Sequence, residues 1–177
     1  WHVPTKHFTP DIVRQLAVFK DPEIAAAIDK NWPGLLAVAP TEETIKEAAR
    51  LKAVLRAGAG DVTKGKLLFT QRCAICHKLF GEGNAVGPEL TGYERGNLDF
   101  WLNNILTPSL EIREGFGNYV VKLKSGQILS GIMASQDARG ISVRDVANNV
   151  TPVKQADIES LEASPMSLMP PGLLVGL

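Results

Sequence analysis

Cys73-Ala74-Ile75-Cys76-His77 is the stretch on which the reading of this chain turns. C-x-x-C-H is the pattern of covalent c-type haem attachment. On a helix, positions i, i+3 and i+4 share one face, so both thiols can reach the porphyrin vinyl groups while the His77 imidazole meets the iron. The same two cysteines could instead serve dithiol redox chemistry or a zinc site. A thioredoxin-like motif is entered from a strand in a βαβ setting, whereas Asp61 to Arg72 reads as an amphipathic helix. A zinc site wants four ligands, and with no third cysteine the remainder would come from His2, His7 or carboxylates. Haem attachment is the reading the pattern favours.

Composition sets the outer bounds. The 177 residues, 45% of them hydrophobic, suffice for one domain of ordinary size or a smaller one with an appendage. Nineteen basic and nineteen acidic side chains cancel, leaving no field to hold nucleic acid. No apolar run approaches the roughly 18 residues of a membrane helix, so no membrane span is expected. The chain opens on Trp1 without a signal pattern, as a processed protein or an excised fragment would. The haem would consume both cysteines and leave none for a disulfide. Because haem is joined to thiols outside the cytoplasm, the expected location is the periplasm or another extracytoplasmic space.

Outward from the motif, the upstream chain reads as helical. Thr9-Pro10-Asp11 and Asp21-Pro22-Glu23 are two successive start signals, each with a capping residue, a proline at the first position and an acid near the positive helix end. Ile12, Val13, Leu16 and Phe19, then Ile24, Ala27 and Ile28, supply their apolar stripes. After the Trp32-Pro33-Gly34 break, Thr41-Glu42-Glu43 opens a longer helix with Ile45, Ala48, Leu51, Val54 and Leu55 on one face, ended by Gly58 and Gly60. Paired short helices of this kind suit the end of an α-helical repeat region. Asp61 caps the helix leading to the cysteines, whose Leu67, Leu68 and Phe69 are available to pack near a porphyrin. Gly81 to Asn84 reads as a loop, Gly87 to Gly92 as a rigid turn segment, and Leu98 to Leu106 as a short helix stopped by Thr107-Pro108. From Tyr119 the period changes from 3.6 to 2. Segments 119–124, 127–134, 141–146 and 150–154 read as short antiparallel strands, and Asp157 to Leu161 closes the region as a turn or short strand. The expected result is a small curled sheet or barrel.

An iron with histidine on one side takes a second strong ligand for electron transfer or keeps an open face for ligand chemistry. The candidates are Met133, Met166, Met169, His2 and His7. Met133 falls in an expected strand, where packing is its ordinary role. Met166 and Met169 lie in Ser164-Pro165-Met166-Ser167-Leu168-Met169-Pro170-Pro171-Gly172, a proline-bounded loop suited to hold one side chain rigidly. Met169, directly before proline, is the first choice and Met166 the second. Histidines near a terminus are ordinarily solvent-exposed.

These motifs together, with Gly87-Pro88-Glu89-Leu90-Thr91-Gly92, Asn104-Ile105-Leu106-Thr107-Pro108-Ser109 and Ser167 to Leu174, resemble the haem-binding domain typical of Planctomycetes and Verrucomicrobia. That family is a class I-like cytochrome c with a β insertion between the haem motif and the axial methionine. The resemblance runs from about Asp61 to Leu177. It implies a mainly α fold with a β insertion (α+β): a helical N-terminal extension over residues 1–58, then a haem domain over 59–177 with the insertion at about 117–162. It also implies one covalent haem c, with His77 as proximal ligand and Met169 as distal one. The Pro88 carbonyl would accept the His77 Nδ1 proton, and Trp101 and Arg95 would approach the propionates. Lys64, Lys66, Arg72 and Lys78 against Asp61 and Glu82 make the haem helix locally basic. The upstream helices are similar to the region that precedes this domain in large secreted proteins with a dehydrogenase-type propeller. Class I cytochromes close with a C-terminal helix across the haem helix, yet this chain stops at Leu173-Leu174-Val175-Gly176-Leu177. Either the chain is truncated or the helix around Thr41 to Ala57 takes over part of that packing.

The function implied is a monohaem electron-transfer domain rather than a catalyst on its own. It would take electrons from a linked or partner dehydrogenase and pass them to a downstream carrier. Two alternatives differ in kind: a ligand-binding haem, gas sensor or peroxidase, with an open or labile sixth site, and an interaction module in which the haem is mainly structural.

Overall fold

The computed structural model describes residues 10–36 and 39–177. Thr9, His2 and His7 therefore lie outside the described residues, as does any capping or ligand role for them. The architecture is mixed α+β, with five α-helices and a five-stranded antiparallel sheet among the described residues.

Helices α1 (Pro10–Leu16) and α2 (Pro22–Asn31) form a small unit around Val13, Ile28 and Leu35, with Leu16, Ile24 and Trp32 packed against them. Asp21 caps α2 as its sequence predicts, its Oδ1 accepting the Glu23 and Ile24 N–H groups at 2.7 and 3.3 Å. The expected stripe of α1 is cut short. The chain tightens to a 3-10 turn at Ala17–Phe19 and reverses at Lys20 (φ 51°), which leaves Phe19 exposed.

Helix α3 (Glu42–Ala57) is capped by Thr41, and α4 (Val62–Arg72) by Asp61, whose Oδ1 accepts the Thr63 and Lys64 N–H groups. Helix α5 (Leu98–Leu106) is capped by Asn97. Helix α3 docks on α5, where Lys52 forms an ion pair with Asp99. No residue of α3 is buried, and Ile45, Val54 and Leu55 of its expected inner face are exposed. The packing across the haem helix that the sequence suggested for this segment is thus directed mainly at α5. The C-terminal segment hooks onto the end of α4 instead, where the Arg72 guanidinium donates to the carbonyls of Leu173 (2.7 Å) and Val175 (3.0 Å).

A two-residue hairpin, β1 (Lys78–Leu79) with β2 (Glu82–Gly83), follows the cysteine motif where a plain loop was expected. Phe80 and Gly81 both take positive φ, the geometry a tight two-residue hairpin turn requires.

Strands β3 (Asn118–Leu123), β4 (Ile128–Asp137), β5 (Gly140–Arg144), β6 (Val150–Lys154) and β7 (Ile158–Ala163) pair in the order β6-β5-β4-β3-β7. The closing segment is a full strand paired with β3, as Val121↔Leu161 and Lys122↔Ser160 show. Val121, Ile141, Val143 and Val153 form the buried core, with Leu123, Leu129, Met133 and Ile158 against it. Val153 and Ile158 come from opposite edge strands, so the sheet curls to bury one of its own faces. Met133 packs there, as its place in an apolar strand suggested.

Candidate haem site

Helix α4 ends at Arg72, and the C-x-x-C-H motif occupies the turn that follows. This corrects the expectation that the motif lies within a helix. Cys73 departs to φ −120°, and the Ala74 N–H reaches back five residues to the Phe69 carbonyl at 2.9 Å, so the winding loosens where the cysteines begin. Helical proximity survives in one turn. The Cys76 and His77 N–H groups both donate to the Cys73 carbonyl, at 3.0 and 2.8 Å, which keeps the three side chains within one turn of each other.

The next segment wraps around this turn and satisfies its backbone. Asn84 donates to the carbonyls of Ala74 (2.9 Å, main chain) and Ile75 (3.3 Å, side chain). Val86 and Gly87 donate to the Cys76 carbonyl at 3.0 and 2.7 Å, and Leu90 to that of Lys78 at 2.8 Å. The scaffold is thus made of main-chain carbonyls, and the thiols take no part in it. Both cysteines are free. Burial pushes the Cys73 thiol above its ordinary value, with Arg72 opposing and Cys76 adding to the rise, and burial also raises Cys76.

His77 Nδ1 lies 2.8 Å from the Pro88 carbonyl oxygen. A carbonyl can only accept, so Nδ1 carries the proton and Nε2 carries the lone pair that a metal needs. Among the described residues Nε2 makes no hydrogen bond. Two glycines let the chain come this close. A Cβ on Gly87 would sit 2.5 Å from His77 Cε1, and one on Gly83 would sit 2.2 Å from the His77 carbonyl oxygen. Gly87 was read from sequence only as part of a rigid turn, because its contact with the imidazole depends on the wrap that brings residues 84–90 back over the motif.

The apolar side chains around this turn are poorly covered by protein. Helix α4 buries none of its residues, leaving Leu67 and Leu68 exposed, and Ile75 and Phe80 are 63% and 73% exposed. Two thiols, one correctly protonated imidazole and an apolar surround are the donor set and surface that a covalently bound haem takes, so the residues present fit that group. Among the described residues no group of three or more His, Cys, Asp or Glu side chains is placed to hold a metal ion, which leaves the zinc alternative without its ligands there.

The remaining candidates fall into two groups. Met169 is half-buried and Met166 exposed, both in the loop after β7. Arg95 and Trp101 lie together, the guanidinium over the Trp101 ring at 5.5 Å and over Phe80 at 5.4 Å. The Trp101 indole N–H and three of the five Arg95 guanidinium N–H groups are engaged within the protein. Trp101 donates its indole N–H to the Glu94 carbonyl at 2.8 Å, and Arg95 donates to the carbonyls of Leu90, Thr91 and Tyr93. Trp101 has no second donor for a propionate, and the pair braces residues 90–101 onto the Tyr93–Phe100–Trp101 ring cluster. Two of the four basic side chains of this region are engaged, since Lys66 pairs with Glu82 at 2.6 Å and Arg72 holds the C-terminal segment.

Comparison with known proteins gives the family. The cytochrome c family model matches residues 62–143. Cytochrome c from Cochliobolus lunatus is 62% identical over 34 residues, and that from Arabidopsis thaliana likewise, each match covering 19% of this chain. The chain spans only 32% and 30% of those two proteins. Cytochrome c-554(547) from Halothiobacillus neapolitanus is 31% identical over 90 residues, which is 51% of this chain and 90% of that protein. No helix among the described residues is long and apolar enough to cross a membrane. With a relative matched over nearly its whole length and a site of the right composition, the chain belongs to the cytochrome c family, which binds haem c covalently and transfers electrons between redox partners.

Proposed function

We propose that this chain carries a single haem c on Cys73 and Cys76, ligated by His77 and Met169, and relays electrons from a linked or partner dehydrogenase to a downstream carrier. The observation that carries the reading is the His77 Nδ1 to Pro88 hydrogen bond, which leaves Nε2 unbonded beside two free thiols. When bound, the haem supplies a one-electron ferric/ferrous couple. Pro88 fixes the imidazole tautomer and raises its basicity, and the neutral thioether of Met169 favours the reduced state. Balanced surface charge suits a tethered or apolar encounter with the partner over long-range steering.

We further read the chain as the Planctomycete-type subclass, acting outside the cytoplasm as part of a larger secreted protein. Residues 1–58 form its helical extension, and 59–177 its haem domain with a β insertion at about 117–162. Support for the insertion is its position: all five strands fall between α5 and the Met169 loop, and they share a core of their own.

Absorption spectra of the oxidised and reduced protein, with and without carbon monoxide, test the ligation. Low-spin bands indifferent to the gas, with the weak far-red methionine-to-ferric band, support electron transfer. A high-spin spectrum that shifts with the gas would replace this reading by a sensor or peroxidase. The dehydrogenase link is tested by removing haem: physiological electron acceptance should vanish while substrate oxidation with an artificial acceptor survives.

A further inference from the structure

We propose that Ser109 is a positioning residue for Met169, acting through Ser167; this rests on reading Met169 as the sixth ligand. The methionine loop has little to hold it. Pro165, Pro170 and Pro171 have no N–H to donate, and the loop pairs with no strand. Its start is fixed where the Ser164 N–H donates to the Asn118 carbonyl of β3 at 2.8 Å and the Arg14 guanidinium donates to the Pro165 carbonyl at 3.2 Å. Its end is fixed by Arg72 at Leu173 and Val175. Between these anchors, among the described residues, residues 166–172 make local hydrogen bonds to Ser164 and Val175 and a single one to a distant part of the fold. The Ser167 N–H donates to Ser109 Oγ at 3.0 Å.

That bond continues toward the ligand. Ser167 Oγ in turn accepts the Met169 N–H at 3.1 Å, so the backbone of the methionine is located relative to Ser109 by two bonds in series. Ser109 is a firm reference point. It is 7% exposed, lies beside the buried Pro108, and sits on the turn that closes α5, where the Leu110 N–H donates to the Thr107 carbonyl at 2.9 Å. A buried hydroxyl facing a loop N–H costs free energy to remove, because the N–H is then left without a partner. An aliphatic residue would fill the same space without holding the loop, so the hydroxyl itself is what the position uses.

The test uses the haem-loaded protein and reads the far-red methionine band and the carbon monoxide affinity of the ferrous form. Ser109→Ala should weaken the band and raise gas affinity about five- to tenfold, the effect of losing one net hydrogen bond from the methionine-bound state. Ser109→Thr, which keeps the hydroxyl, should restore both. Ser164→Ala removes the bond from the Met166 N–H to Ser164 Oγ, off the path to Met169, and should leave both unchanged. Ser167→Ala should reproduce Ser109→Ala, and the double variant should be no worse than either alone, because bonds in series fail together. This second route also decides the matter if Ser109→Ala fails to fold.

Met169→Ala measured alongside separates the two readings. If it abolishes the band while Ser109→Ala and Ser167→Ala leave it untouched, the positioning role is overturned and the ligand stands. If Met169→Ala keeps the band, the ligand reading falls and this inference falls with it.

Discussion

Strands β3 to β7 bury Val121, Ile141, Val143 and Val153 against one another, whereas α4, which leads into the haem motif, buries none of its residues. The two regions satisfy their apolar side chains differently. The sheet curls until its edge strands share a core built from its own side chains. The haem segment organises its backbone through the carbonyls of Cys73, Ala74, Ile75 and Cys76, and leaves both thiols free and apolar side chains such as Ile75 and Phe80 exposed. Each large apolar side chain covered by a prosthetic group contributes about 1.5–3 kcal/mol. The contrast predicts a division of labour: one region held by its own chain, the other completing its core with the haem it would carry.

The largest effect should come from breaking attachment. In Cys73→Ser/Cys76→Ser, hydrogen exchange should show α4 and α5 nearly unprotected. Amides of β3, β4 and β5 should keep protection factors of at least about 10³, the level expected of a unit stable by about 4 kcal/mol. Loss of protection in both regions together would show that they form one cooperative unit, and the comparison would fail.

A reciprocal pair of substitutions sharpens the same contrast. Gly87→Ala drives a Cβ against the imidazole and away from the Pro88 bond. Removing such an outer partner weakens a metal–histidine bond about 10- to 100-fold and leaves the imidazole a poorer donor to ferric iron, so the reduction potential should rise, with the sheet's denaturation midpoint unmoved. Val121→Ala, at a fully buried position, should cost about 2 kcal/mol of stability and leave the haem spectrum as it was. A spectral change in Val121→Ala would reveal coupling between the regions.

What the sequence made legible follows from how local each feature is. Asp21-Pro22-Glu23 and Asp61 mark helix starts through bonds spanning two or three residues, and the alternation of 119–124 marks β3 within one strand. The C-x-x-C-H motif needs only five residues. Strand β7 was harder, because Ile158-Glu159-Ser160-Leu161-Glu162-Ala163 has weak β propensity and is held by pairing with β3, far back in the chain. The Phe80 turn puts a non-glycine at φ 50°, which no composition rule suggests. Least legible were Ser109 with Ser167 and Arg14 with Pro165, separated by 58 and 151 residues. Nothing in a serine's neighbours announces a partner that distant.

Acid gives the smallest and most selective probe of the contrast. Two turns of the sheet are closed by carboxylates. Asp145 Oδ1 accepts the Ala147 and Asn149 N–H groups at 2.9 and 2.8 Å, and Oδ2 accepts the Asn149 side-chain amide at 3.1 Å. The Asn149 side-chain bond, aided by its backbone N–H, holds the Asp145 carboxyl below its ordinary value. Hydrogen bonds from Arg139 do the same for Asp137. A carboxyl depressed in the folded state contributes stability that is fully present above its unfolded pKa of about 3.9, and that contribution is lost as pH falls through the lower folded value. Both groups are exposed, so the effect is modest. Melting of the sheet should therefore weaken below about pH 4, and Asp145→Asn should flatten part of that slope. On the proposed His77 and Met169 ligation, the haem's low-spin spectrum should persist through the same early interval. An unchanged slope in Asp145→Asn would remove Asp145 from the account. A haem spectrum that fell in step with the sheet would instead point to Arg144, which donates both to Asn148 in this turn and to the Ala85 carbonyl of the haem loop, as the link between the regions.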